Sequence, residues 1–136
     1  TSLSSYSGTI IAVIPAALRA VLKSVTKYTN NTGSSSAASA VTATTDYFFL
    51  LSEYEVFGST TYANSNEASK QAQYSYYSAG NSKVKYNHSA TSTAVLWWLR
   101  SPNASRSTHF VVVYADGTVG NNIAGYSRGF APGFCV

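Results

Sequence analysis

Residues 110–123 read Phe-Val-Val-Val-Tyr-Ala-Asp-Gly-Thr-Val-Gly-Asn-Asn-Ile. Two runs of strand-forming residues, Phe110–Tyr114 and Thr118–Ile123, flank Ala115-Asp116-Gly117. Asp-Gly turns the chain back because glycine takes positive φ without a Cβ penalty, so the stretch is predicted to be a β-hairpin. Side chains alternate along a strand. Val112 and Tyr114 therefore share one face, and Val111 and Val113 share the other, which suits the core. Upstream, Ala94–Leu99 is apolar throughout and reads as a central strand. Downstream, Phe130–Val136 reads as a closing strand broken by Pro132 and Gly133. The carboxy-terminal part is thus expected to be an antiparallel sheet.

The amino-terminal half carries a different period. Within residues 9–28, Leu18, Val21, Leu22, Val25 and Tyr28 recur at helical spacing opposite Arg19, Lys23 and Lys27, after Pro15 in a first-turn position. An apolar lead-in and an amphipathic helix packed on the domain's own core are predicted. Residues 29–45, rich in Ser, Thr and Ala, read as a mobile loop. Tyr47–Leu51 reads as a buried strand. Ser52 and Glu55 have capping-box spacing, with Gly58 placed to end the turn they start. Glu53 and Glu55 are expected to cap and solvate that turn. A second helix is predicted over Glu67–Tyr77 and a short strand at Val84–Tyr86. The fold class is α+β, with early helices and a late antiparallel sheet. Three regions follow: 1–28, part of the domain or an oligomerisation element; 29–45, a flexible loop; and 46–136, the main domain.

Composition narrows the function. The chain has 136 residues, enough for one domain, and 10% are charged. Eleven tyrosines among many Ser, Thr and Asn make a polar, uncharged surface of the kind used in binding loops. The formal charge is +4, but the cations are scattered and form no basic stripe, so no nucleic-acid partner is expected. A single cysteine, Cys135, rules out an internal disulfide framework and reads as a small core residue. Ile10–Ile14 is too short to span a bilayer, so no membrane insertion is expected. The chain begins at Thr1 and is expected to be a piece of a longer protein. His88 and His109 belong to no metal or catalytic motif, and no carboxylate cluster suits calcium. No enzyme activity, metal or cofactor is expected.

Three segments in order carry a resemblance. They are Phe48-Phe49-Leu50-Leu51-Ser52-Glu53-x-Glu55-Val56; Trp97-Trp98-Leu99-Arg100-Ser101-Pro102; and Asp116-Gly117-x-Val119 followed by Gly129-Phe130-Ala131-Pro132-Gly133-Phe134-Cys135-Val136. Together they resemble a bacterial and phage domain family whose members read FLLS-E-EV, WWLRSP, a glycine turn, then GVRPA or GVAPGF. That family looks like the C-type-lectin-like fold, and some members are variable proteins of diversity-generating retroelements. Ala131 departs from the Arg usual in cellular members and is similar to the phage-type subgroup.

The resemblance implies a mechanism. Such retroelements mutate adenines of a template repeat, turning Asn codons into NNY codons, which cannot encode Lys, Glu, Gln, Met or Trp. None of those five occurs in residues 101–136, whereas Lys, Glu, Gln and Trp all occur before. Carried over by motif position, the variable, ligand-binding residues would be Asn103, Arg106, Ser107, His109, Val112, Tyr114, Gly120, Asn122, Ile123, Tyr126 and Arg128. For Val112 and Ile123 a plain core role stays open, and the tyrosines could be cross-strand partners in the hairpin. Of the two tryptophans, on opposite faces, at least one should anchor the core. Arg100 is expected to hold loop carbonyls through its planar fork. The implied function is host-receptor binding from a phage tail, the partner being a cell-surface protein or glycan. The chain would be a homo-oligomer, displaying weak sites together. Ile10–Ile14 is the candidate for that assembly. The alternatives are a non-diversified bacterial surface or secreted domain, and an enzyme on the related fold of sulfatase-activating factors.

Overall fold

A computed structural model of the chain describes residues 10–136. Positions 1–9 of the amino-terminal region lie outside the described residues. A 3-10 turn, Ile10–Val13, leads through Pro15 into a short helix α1, Ala16–Val21. The predicted helix goes no further. Leu22 is extended, and Val25 and Tyr28 belong to strand β1, Val25–Asn30. The reason lies in the partner: β1 pairs antiparallel with β2, Val41–Asp46, from Val25↔Asp46 to Asn30↔Val41. The Thr-rich run VTATTD favours a pleated strand over a helix or coil. The expected mobile loop 29–45 is therefore a hairpin. Its connection is pinned from outside, since Asn64 Nδ2 donates to Ser35 O and Ala37 O, both at 2.9 Å.

Phe49 is buried as expected, but Tyr47–Leu51 forms no regular strand. It makes one bridge to the carboxy terminus: Phe49 N–H donates to Gly133 O at 3.1 Å and Gly133 N–H to Phe49 O at 2.7 Å. A Cβ on Gly133 would stand 2.8 Å from the Phe49 ring, so glycine is what permits this approach. Phe130–Val136 is likewise no closing strand; it is held by that bridge and by Lys23↔Cys135. Cys135 is only half-buried. Helix α2, Glu53–Phe57, carries the predicted capping box in full, and Gly58 ends it in the left-handed region at φ 70°. Over 67–77 the chain forms a 3-10 helix, Ser65–Lys70, an extended stretch, and helix α3, Ser75–Ser78. The predicted continuous helix is broken because Gln71 and Tyr74 are drawn to other elements: Gln71 Nε2 donates to Tyr28 O at 2.9 Å and Tyr74 N–H to Glu55 O at 3.0 Å.

The second half is sheet. β3, Lys85–Asn87, pairs with β4, Ala90–Val95. A three-stranded antiparallel sheet follows, ordered β5, Trp97–Pro102; β6, His109–Val113; β7, Val119–Ile123. The hairpin is as predicted: Gly117 has φ 86° and Tyr114 N–H donates to Thr118 O at 2.8 Å. Ala94–Leu99 is not one central strand. It splits at Leu96, where Gly129 N–H donates to Leu96 O at 2.8 Å and Trp98 N–H to Gly129 O at 3.0 Å, and β6 takes the centre. Trp97, Leu99, Val111 and Val113 turn inward onto Val56 and Tyr77, and Trp98 on the other face stays half-buried. The architecture is mixed helix and antiparallel sheet, α+β.

Candidate functional site

The polar residues of the two sequence motifs meet inside the molecule. Arg100 on β5 spreads its guanidinium across five acceptors. Nη1 donates to Glu55 Oε2 at 2.5 Å and Leu50 O at 2.8 Å, and Nε to Thr29 Oγ1 at 2.9 Å. Nη2 donates to Gln71 Oε1 at 2.8 Å and Tyr28 O at 3.4 Å. The expected role of Arg100 is thus observed. The other oxygen of Glu55 accepts from Lys27 Nζ at 2.8 Å. Glu53, wholly buried, accepts the backbone N–H of Thr61 at 2.6 Å, Tyr62 at 3.1 Å and Ala63 at 2.7 Å. Glu67 accepts Ser101 Oγ–H at 2.7 Å and Asn30 N–H at 3.0 Å, while Ser101 Oγ accepts Glu53 N–H at 3.1 Å. The expectation that Glu53 and Glu55 solvate a turn is corrected: both are buried and hold irregular chain in place. Extended and 3-10 segments leave backbone groups without ladder partners, and these side chains supply them.

This frame gives stability a definite pH dependence. For Glu55, burial works to raise the pKa, but Arg100, Lys27 and the Ser52 N–H together outweigh it and hold the carboxyl below its ordinary 4.5. For Glu67, burial dominates and raises the pKa, only partly offset by Ser101, the Asn30 N–H and the charge of Arg100; Glu53 adds to the rise. A lowered folded pKa means Glu55 stabilises above the unfolded value, and this is lost as pH falls through the folded one. A raised folded pKa means Glu67 stabilises below the unfolded value, and this is lost as pH rises through the folded one. The urea midpoint should therefore rise on mild acidification toward the ordinary glutamate range and fall below it. Glu67→Gln should remove the rise and keep the fall; a rise of unchanged size would contradict the assignment.

The carboxy-terminal side chains behave differently. Among the described residues, every hydrogen bond made by a side chain from Asn103 to Val136 reaches at most two positions along the chain, as between Asp116 and Thr118 or Arg128 and Ser127. Its hydrogen bonds to the rest of the molecule are main-chain ones: Ala104 N–H to Tyr62 O at 2.9 Å, Lys23 N–H to Cys135 O at 2.9 Å, the β5–β6 ladder, and the Gly129 and Gly133 bridges; Val111 and Val113 add core packing.

Of the candidate residues, Arg106, Ser107, Tyr114, Ile123, Tyr126 and Arg128 are exposed, and His109 and Asn122 are partly so. Arg128 stacks over the Tyr126 ring at 4.9 Å. His109 and Ile123 are direct cross-strand partners. Three candidates, Asn103, Val112 and Gly120, are buried instead. Asn103 is buried, its Oδ1 accepting Ser105 N–H at 2.9 Å in the turn after β5. Val112 is fully buried, because β6 is the middle strand and Val112 lies between Trp98 on β5 and Gly120 on β7. Gly120 is buried beneath Tyr114, whose ring a Cβ there would meet at 2.2 Å. Strand parity missed this because the outer face of the sheet carries an aromatic cover of its own.

Two surface features were not anticipated. Trp98, Phe110, Leu50 and Ala124 line a concavity of about 400 Å³ on that outer face. A larger cleft of about 550 Å³ lies between the β3–β4 hairpin and the stretch from Ser127 to Ala131. The opposite facing of the two tryptophans was a usable signal for the first. Nothing local in the sequence brings β3 to residue 128.

These features define a small α+β domain: a buried polar frame carrying a carboxy-terminal surface whose side chains are locally tied. The chain belongs to the family described as a domain of unknown function (DUF6273), whose model matches residues 6–136. No curated protein and no solved structure matches it. Among the described residues there is no group of three or more His, Cys, Asp or Glu placed to hold a metal, and no helix long and apolar enough to cross a membrane.

Proposed function

We propose that this domain is a ligand-binding module of C-type-lectin-like fold whose carboxy-terminal side chains are diversified by a retroelement. It would serve in attachment to a host cell-surface protein or glycan from a phage tail, as a homo-oligomer. The observation that carries the reading is the division of labour just described. Buried Glu53, Glu55, Glu67 and Ser101 and the partly buried Arg100 hold the frame, while beyond 103 the core valines and main-chain hydrogen bonds attach the segment and its exposed side chains make no hydrogen bond to the frame. Side chains that vary must not unfold the protein, and main-chain attachment meets that requirement whatever residue is present. Exposed Tyr114, Tyr126, Arg106 and Arg128 are of the types enriched at binding hot spots. Binding is favoured over catalysis because both oxygens of Glu55 are engaged and buried, as are those of Glu53 and Glu67. The exposed apolar residues Ile10 and Val13 are the candidate assembly surface.

The reading is tested by replacing Arg106, Ser107, His109, Tyr114, Asn122, Ile123, Tyr126 and Arg128 together from an NNY-coded library. Most clones should fold with two-state unfolding, and single surface changes should each shift stability by no more than about 0.5 kcal/mol. A library that mostly fails to fold would sink the proposal. Sequencing the surrounding DNA completes the test: a reverse transcriptase and a near-copy of the 101–136 coding segment, differing only at its adenines, are expected. With neither present, a non-diversified bacterial surface domain becomes the better reading.

A further inference from the structure

We propose that the 550 Å³ cleft between the β3–β4 hairpin and the stretch from Ser127 to Ala131 binds a carboxylate-bearing sugar. The proposal rests on the ligand-binding reading above, since Arg128 belongs to the surface segment, and it names the ligand's chemical class.

The argument begins with where the charges are. Of nine Lys and Arg, Lys27 and Arg100 are paired with Glu55, which leaves seven. Of five acids, Glu53, Glu55 and Glu67 are buried, which leaves Asp46 and Asp116. The surface is therefore more basic than the formal charge of the chain suggests. Neither remaining acid lines the cleft, and Asp116 is already engaged by Thr118 N–H and Oγ at 2.9 Å and 2.6 Å. Lys85 lines the cleft from the hairpin and Arg128 from the facing stretch. Among the described residues neither has a carboxylate partner; Lys85 Nζ lies 5.1 Å from the Trp97 ring, and the guanidinium of Arg128 donates only to Ser127 O at 3.4 Å. Two unpaired cations in a concavity without acids favour an anion, and a carboxylate suits the planar fork of arginine.

The rest of the lining argues for a sugar. Tyr86 and Phe130, 57% and 51% exposed, add aromatic surface that a small inorganic anion would not use, and His88 adds a polar ring. The volume lies in the range of small-molecule sites. A peptide recognised by strand addition needs unpaired main-chain groups. Here Leu96 O, Gly129 N–H, Gly129 O and Trp98 N–H are bonded to one another. The cleft thus joins a wall outside the proposed variable segment, which supplies Lys85 and Tyr86, to a wall within it, which supplies Arg128.

The test is calorimetric titration of the whole chain with trisaccharides ending in sialate, glucuronate or galacturonate, each beside its neutral methyl ester. At least one acid should bind, with its ester about tenfold weaker. Lys85→Gln and Arg128→Gln should each weaken binding about tenfold, while Lys23→Gln and Lys70→Gln, at exposed cations away from the cleft, change it less than twofold. Unchanged thermal unfolding of the four variants keeps misfolding out of the comparison. The proposal is overturned if no acid binds, if ester and acid bind alike, if Lys23→Gln and Lys70→Gln cost as much as the cleft variants, or if hexaglutamate binds the cleft as well as the saccharide. If no acid binds yet the NNY library folds and the template copy exists, the sugar falls and the display reading stands. Cleft binding with an intolerant library leaves the sugar site and removes diversification.

Discussion

Replacing Arg100 by methionine should destabilise the protein by about 3–5 kcal/mol, the usual cost of stripping one partner from a buried ion pair. That is a large part of the roughly 5–15 kcal/mol that holds a domain folded. The change leaves the buried Glu55 carboxylate with Lys27 as its one cation, beside the Ser52 N–H. It also removes donors from Leu50 O, Tyr28 O, Thr29 Oγ1 and Gln71 Oε1, which belong to three separate stretches of chain. Lysine is no substitute, because one ammonium cannot reach acceptors that a planar fork spans. Urea unfolding followed by tryptophan fluorescence should register the loss, since buried Trp97 and half-buried Trp98 share β5 with Arg100. Pairing the change with Glu55→Gln should cost less than the sum of the two alone, because the neutral amide no longer strands a charge. A loss below about 1 kcal/mol for Arg100→Met would show that the frame is not what holds these segments.

Glu53→Ala should be of similar size, about 3–5 kcal/mol, given that each buried donor left without an acceptor costs roughly 1–3 kcal/mol and such losses are not fully additive. Three backbone N–H groups, of Thr61, Tyr62 and Ala63, depend on this one carboxylate. Tyr62 O in turn accepts Ala104 N–H, which anchors the start of the carboxy-terminal segment. Hydrogen exchange should show those three amides losing protection before the sheet does. Glu53→Gln should fall between wild type and alanine, as its single carbonyl oxygen can serve only part of the set. Retained protection at all three amides in Glu53→Ala would refute the role.

Both predictions concern motif residues that the sequence places far apart, two acids near position 54 and an arginine at 100. In three dimensions every oxygen is engaged inside the protein, and the motifs mark where the frame crosses the fold. That Arg100 holds loop carbonyls was expected from the planar fork of its guanidinium. The partners were not legible: Glu55 lies 45 positions away and Thr29 lies 71.

The hairpin at 110–123 and the capping box at Ser52–Glu55 were determined by the sequence itself. Each is closed by contacts within a few residues, so local propensity and turn chemistry suffice. Longer elements were decided elsewhere. Val25 and Tyr28 continue the helical periodicity yet lie in a strand, because Val41–Asp46 offers a ladder along all of Val25–Asn30. Ala94–Leu99 is apolar enough for one strand yet breaks at Leu96, because Gly129 inserts its main chain there. Val112 alternates onto the outer face yet is buried, because Trp98 and the Tyr114–Gly120 pair cover it. The cleft at Lys85 and Arg128 exists only because that Gly129 contact brings residues 43 positions apart to facing walls. Local sequence fixes where the chain turns and caps, since those energies are short-ranged. Which faces remain open for a ligand depends on what distant segments cover, and only the tertiary structure supplies that.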